Sequence, residues 1–180
     1  MRTVGLVPAA AKPYHAGHDG LVRIAAEEND EVLLFVSTSD RARKGEITIY
    51  GDSMKRVWDD YIEPSLPGNV QVVYGGIPVQ HVYEELENAE ASRDRTTTFR
   101  IYSDIEDILK YTDVSLSKSA PTLFSRGQIE RRGVDRNETV NVSGTKMREY
   151  MANGDVKNFK KFLPQAIQQY AKEILLILKR

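Results

Sequence analysis

The sequence predicts an open, mostly parallel α/β sheet with helices on both faces. Three observations carry that expectation. Short β-type runs alternate with helical patterns along most of the chain. One of those runs, Glu31–Thr38 (EVLLFVST), is almost continuously apolar, as befits a strand covered on both sides. The 180 residues, 41% apolar and 28% charged, have ordinary globular composition and enough length for one buried core. Sheets of this kind bind ligands beyond the carboxyl ends of their strands, so the turns after strands are the places to search.

Taken in order, Thr3–Pro8 reads as the first strand and Gly17–Glu28 as a helix with Leu21, Ile24 and Ala25 on one face. The run at Glu31–Thr38 is the second strand, and a polar loop with an excess of basic residues, SDRARKGEITIYG, follows it. Asp52 or Ser53 is the expected cap of a helix reaching about Glu63, with Met54, Val57, Trp58 and Tyr61 spaced for burial. Pro64 and PGN close it, and Val70–Tyr74 is the third strand. After GGIP comes a helix over about Val79–Ala89, then a fourth strand at Thr97–Tyr102 and a short helix at Asp104–Leu109. Thr112–Asp135 has weak periodicity and reads as loop with one short strand, while Glu138–Val142 reads as the last strand. Ser143 opens a helix to about Asn153, with Gly154 as its stop. A short helix at about Val156–Phe162 and an amphipathic one at Gln165–Leu178 complete a single domain, with a core of about 3–153 and a C-terminal helical segment of about 155–180.

Composition narrows the function classes. A formal net charge of −1 provides no electrostatic case for a nucleic-acid partner. The absence of cysteine removes disulfides, thiol nucleophiles and thiolate metal sites. The N-terminus lacks the apolar run of a signal peptide, and no stretch approaches the ~18 apolar residues of a membrane span. The expectation is a soluble cytoplasmic protein without a membrane partner; a homo-oligomer through the last helix stays open.

Two of only three histidines, His15 and His18, lie three residues apart in KPYHAGH, between the first strand and its helix. At i and i+3 both imidazoles can converge on one ligand. Gly17 lets the backbone approach closely, and a helix N-terminus offers unpaired N–H groups to an anion. From the residues alone three readings stand: a structural capping pair, a phosphate grip, and a zinc site needing His81 or a carboxylate as third ligand. The second motif, VSGTKMR over residues 142–148, again joins a β-type run to a helix. Ser143 suits an N-cap, Gly144 and Thr145 lie in the first turn, and Lys146 and Arg148 add charge. An ordinary capped helix with solvated basic residues is the plain alternative.

An N-terminal strand followed by HxGH at a helix start resembles the nucleotidyltransferase superfamily that includes nicotinamide-mononucleotide, pantetheine-phosphate, glycerol-3-phosphate and sulfate nucleotidyltransferases. His15-Ala16-Gly17-His18 matches that signature at every fixed position, and VSGTKMR is similar to the family's second signature, I-S-(S/G/T)-T-x-x-R, in its adenylyl-transferring form. The likeness spans roughly residues 3–160. It implies a Rossmann-like fold and transfer of a nucleoside monophosphate, AMP from ATP ahead of CMP from CTP, to a small phosphorylated or carboxylated acceptor, with Mg²⁺ on the triphosphate and no metal held by protein side chains alone. His15 and His18 would face the α- and β-phosphates, with Ser143, Thr145 and Arg148 on the β- and γ-phosphates. Lys12 would reach the α-phosphate or the acceptor, and backbone at Pro8, Ala9 and Ala10 would pack on the nucleoside. Relatives often carry an arginine where Arg56 stands, and His81, Ser103 and Asp104 are candidate base or acceptor contacts. PAAAK at residues 8–12 departs from the commoner Gly-rich or GSFDP opening, and IYSDIED replaces a G-x-D turn. The competing function is a nucleotide-binding module without turnover on the same fold.

Overall fold

The protein is described by a computed structural model over residues 1–179. Strands β1 (Arg2–Ala9), β2 (Glu31–Val36), β3 (Val70–Tyr74), β4 (Thr97–Asp104) and β5 (Ile129–Val134) form one all-parallel sheet in the order β3-β2-β1-β4-β5. Helices α1 (Ala16–Glu28), α2 (Gly51–Val57), α3 (Pro78–Ala91), α4 (Ile105–Ile108), α5 (Asp113–Ser119), α6 (Pro121–Ser125), α7 (Gly144–Ala152), α8 (Val156–Lys161) and α9 (Ala171–Leu178) cover its two faces.

The apolar runs explain the layers. In β2, Val32, Leu34 and Val36 enter one core while Phe35 enters the other, so a strand with two buried faces cannot alternate with polar residues. In β1, Val7 and Ala9 face the first core, built with α1, α2 and α7 to α9; Val4 and Leu6 face the second, with α3 to α6. The C-terminal helices therefore share the sheet's core: Phe159, Ile167, Ile174 and Leu178 pack with Val7 and Leu34. In α1 the buried line is Val22 and Ala25, with Leu21 and Ile24 flanking it half-buried. Because the chain leaves β1 outward to β3 and returns to β4 on the other side, a crevice opens between the β1 and β4 ends.

Several elements differ from expectation. The helix after the basic loop starts at Gly51 and is not capped by Asp52 or Ser53; the Asp40 carboxylate accepts from the Gly51 N–H at 2.6 Å instead. A β-carbon at Gly51 would land on the Thr38 carbonyl oxygen, so strand end and helix start meet in backbone contact. The helix then widens into a π turn over Trp58–Ile62. Thr112–Asp135, expected as mostly loop, holds α5, α6 and β5. Only Leu116 and Leu123 of the two short helices are buried, which left little periodicity to read. Strand β5 is a sheet edge whose Arg131 and Arg132 pair with Asp113 and Glu138, so its sequence reads polar. Residues 138–142 are no strand: a 3₁₀ turn at Arg136–Glu138 is closed by Asp135 and Glu138, and the chain then runs extended to α7. The last expected helix begins as a 3₁₀ segment, Gln165–Tyr170, before α9. Among the described residues no helix is long and apolar enough to cross a membrane.

Candidate functional site

At the end of β1 the chain turns through Ala11, with φ +54°, and a cis Lys12–Pro13 bond before α1 begins. Tyr14 is buried, donates to Asp19 at 3.0 Å and stacks on His18 at 5.5 Å; Asp19 in turn pairs with Arg23 at 2.7 Å. This buried frame holds the first turn of α1 in place.

His15 is the N-cap of α1. Its Nδ1 accepts from the N–H groups of Gly17 (3.1 Å) and His18 (3.4 Å), while His18 Nδ1 accepts from the His15 N–H at 3.1 Å. Two imidazoles thus form a reciprocal capping box, their ring centroids 3.7 Å apart. The remaining first-turn donors are also engaged, Ala16 N–H with the Phe162 carbonyl and Asp19 N–H with the His15 carbonyl. The backbone amides expected to meet an anion are therefore occupied at α1. With both Nδ1 atoms accepting, each neutral ring carries its proton on Nε2, and neither Nε2 has a partner among the described residues. The helix end has moved its donors outward onto two side chains.

Electrostatics keep those rings neutral. Burial, then the charges of His18, Arg136 and Arg148, push His15 down to about 2; burial pushes His18 down to about 4. Protonation would put a hydrogen on Nδ1 and break the cap. Gly17 is required by space, since a β-carbon there would stand 2.9 Å from His15 Cε1 and 3.2 Å from the Val140 carbonyl oxygen.

The second motif faces the first. Ser143 caps α7 through the Lys146 N–H at 3.2 Å, leaving the Gly144 and Thr145 N–H groups without partners among the described residues. Arg148 is buried and joins the two motifs: Nη1 donates to the Lys12 carbonyl at 2.9 Å and Nη2 to Thr145 Oγ1 at 3.3 Å, with Glu46 3.4 Å from Nε. Lys12 is buried too, its ammonium donating to the Ser37 carbonyl at 2.6 Å; burial lowers it to about 8 against the pull of Asp40.

Three adjoining cavities occupy the crevice. The first, about 330 Å³, is walled by Pro8, Ala9, Ala10, His15, Gly17, His18, Ser103, Asp104, Ser143 and Gly144, and also by Asp107, Arg136 and Thr139. The second, about 230 Å³, lies past the histidines between Lys12, Arg41, Arg43 and Arg148. The third, about 280 Å³, is mostly apolar, between Pro8–Ala10 and Ile77, Pro78, Val79, Tyr83 and Tyr111. Residues predicted from both motifs thus converge, although some 125 positions separate them.

Four predicted residues stand apart. Thr145 lines none of these cavities and spends its hydroxyl on Arg148; Lys146 is exposed and pairs with Glu149 at 3.5 Å. His81 bonds the Gly75 carbonyl at 2.9 Å and stacks on Phe35, bracing the turn before α3. Arg56 projects toward α9, exposed and 3.7 Å from Asp60. Conversely, Arg41, Arg43, Arg136 and the Tyr83–Tyr111 pair carried no positional signal; only the basic character of the loop after the second strand was legible.

Compared by sequence, the chain matches no family model and no curated protein. Its fold does match solved structures. A protein from Vibrio parahaemolyticus described as a candidate nicotinate-nucleotide adenylyltransferase superposes with a TM-score of 0.61 at 16% identity, covering 100% of this chain and 97% of that one. A bifunctional NMN adenylyltransferase/ADP ribose pyrophosphatase from Francisella tularensis, solved with AMP and a Mn ion, superposes with a TM-score of 0.56 at 14% identity, covering 99% of this chain. The chain spans about half of that enzyme's length, 52%.

Proposed function

We propose that this chain is a nucleotidyltransferase of the HxGH superfamily, carrying an adenylyl group from ATP to a small phosphorylated acceptor and releasing pyrophosphate. One observation carries the reading: two neutral imidazoles, capped through Nδ1, keep their Nε2–H donors free at a crevice that Gly144, at the start of α7, also lines. The shared fold with two adenylyltransferase structures supports adenylyl over cytidylyl transfer.

The chemistry needs no protein nucleophile. An acceptor oxygen attacks the α-phosphorus; a new P–O bond forms there as the bond to the β-phosphate bridging oxygen breaks, and that oxygen leaves with pyrophosphate. His15 and His18 Nε2–H would hold the α- and β-phosphate oxygens as charge gathers on them. Lys12, fixed by the Ala10 and Ser37 carbonyls, would supply a positive charge beside them, and Arg148 and α7 would hold the far phosphates. Pro8–Ala10, Ser103 and Asp104 would bracket the nucleoside. Among the described residues no three His, Cys, Asp or Glu side chains gather as a metal cage. The site thus suits a divalent ion such as Mg²⁺ brought in on phosphate oxygens, where it would neutralise phosphate charge. The apolar third cavity, with Tyr83 and Tyr111 stacked at 5.7 Å, suits an acceptor bearing a flat ring, in keeping with the nicotinate- and nicotinamide-nucleotide acceptors named for the two structural neighbours.

The test is pyrophosphate release from ATP or CTP with Mg²⁺ and a panel of nucleotide and sugar-phosphate acceptors. Turnover with ATP that falls by about 10²–10³ in His18→Ala is expected, as when a preorganised donor is removed. Nucleotide binding without pyrophosphate across the panel would instead mark a binding module, and near-normal turnover in His18→Ala would refute the assigned role.

A further inference from the structure

The second cavity holds more positive charge than that reading uses. Lys12 and Arg148 enter it from the two motifs. Arg41 and Arg43 enter from the strap 37–50, which is fastened by the Arg41–Ile49 bridge and by the Asp40–Gly51 bond. Asp40 faces Lys12, leaving one carboxylate for the guanidiniums: Glu46 Oε2 sits 3.0 Å from Arg41 Nη2 and 3.4 Å from Arg148 Nε. That single oxygen does not satisfy them. The Arg41 Nε–H is buried with no hydrogen-bond acceptor among the described residues, and the Arg148 Nε–H, on a side chain only 10% exposed, has just the 3.4 Å approach of Glu46 Oε2. A buried charged donor left unmade is costly, and one such donor beside a poorly met one in the same wall marks a missing acceptor. The charges of Arg41 and Arg43 also act against Arg148, a repulsion an anion would relieve.

The shape of the missing acceptor follows from continuity. His15, His18, Ala10 and Gly144 border both this cavity and the first one, so a ligand gripped by the imidazoles runs on into it. A chain of phosphates meets that requirement, with oxygens on every side for a planar, forked donor.

We propose that Arg41, assisted by Arg43, grips the β- and γ-phosphates of the nucleotide and the departing pyrophosphate, and that Glu46 is an internal anion which those phosphates displace. This rests on the nucleotidyltransferase reading and assigns the strap 37–50 a part in it. In the free protein Glu46 holds two like charges together, while the Lys12 carbonyl and Thr145 Oγ1 keep the Arg148 guanidinium oriented for the incoming phosphate.

The experiment is calorimetric binding of inorganic tripolyphosphate, pyrophosphate and AMP to the wild type, Arg41→Gln and Glu46→Gln, with KM for ATP and for the acceptor measured alongside. Arg41→Gln is expected to weaken tripolyphosphate and pyrophosphate by about tenfold or more, the loss of a charge-assisted bidentate contact, leaving AMP and the acceptor KM unchanged. Glu46→Gln is expected to tighten tripolyphosphate several-fold. Arg43→Gln, at an exposed position, covers the case of an unfolded Arg41 variant and should reduce the salt dependence of tripolyphosphate binding. Unchanged tripolyphosphate affinity in Arg41→Gln, or equal losses for AMP and the acceptor, overturns the phosphate grip. Weaker binding in Glu46→Gln overturns the stand-in and makes Glu46 a brace. Failure of the wider reading looks different: a wild type that binds tripolyphosphate through Arg41 yet never turns over.

Discussion

Lowering the pH tests the paired-histidine cap directly. Both imidazoles are held neutral in the folded protein, His15 at about 2 and His18 at about 4, while in the unfolded chain each titrates near its ordinary value of about 6.5. The unfolded state therefore binds more protons below that value, so stability is complete above it and declines as the pH falls. From pH 7 to 5.5 a histidine whose folded pKa lies well below 5.5 loses about 1.3 kcal/mol, and the pair about 2.5 kcal/mol. For a chain of this length that corresponds to a fall in Tm of about 5–10 °C. The comparison is a doubly substituted His15→Asn/His18→Asn protein, because asparagine keeps a side-chain oxygen for the first-turn N–H groups but does not titrate. Thermal unfolding of both proteins at the two pH values isolates the histidine contribution as the extra loss in the wild type. Equal losses in the two proteins, or ring resonances that titrate between pH 6 and 7, would refute the neutral Nδ1-accepting pair.

Two further outcomes are expected. Gly17→Ala adds a β-carbon 2.9 Å from the His15 ring, so it should tilt that ring and weaken ATP binding by about tenfold while leaving far-UV circular dichroism intact; unchanged ATP affinity would show that ring placement is not what Gly17 protects. The Tyr111 hydroxyl is buried without a hydrogen-bond partner among the described residues, so Tyr111→Phe should leave the ligand-free protein as stable or up to about 1 kcal/mol more stable in urea unfolding; a loss above about 1 kcal/mol would mean that the hydroxyl is satisfied.

Legibility followed the physics of each element. Strands β1 and β2 were visible because, past their first residues, both faces are covered and the buried positions are apolar. The α7 start was visible because Ser143 caps it locally and Gly154, with φ +64°, ends the turn that follows the helix. Strand β5 was not, because an edge strand keeps one side for Arg131 and Arg132 and pairs them across the surface. The sequence places the start of the Gly51 helix two or three residues late, because the carboxylate that meets its first N–H comes from Asp40, eleven positions away, where no local pattern records it.

The site divides in the same way. The sequence by itself determined that two histidines and a glycine stand at one strand-to-helix turn, and that SGTxxR stands at another, since these are local spacings on single elements. Only the tertiary structure decided what those residues can do. Whether an imidazole is charged depends on how deeply it is buried and which cations surround it. Which of its nitrogens faces a ligand depends on where the other finds a backbone N–H. Folding consumed the α1 amides and set His15 and His18 in their place; it turned Arg148 back onto the Lys12 carbonyl and brought Arg41 and Glu46 over from the strap 37–50. Burial and long-range hydrogen bonding are properties of the packed chain, and a string of residue types does not contain them.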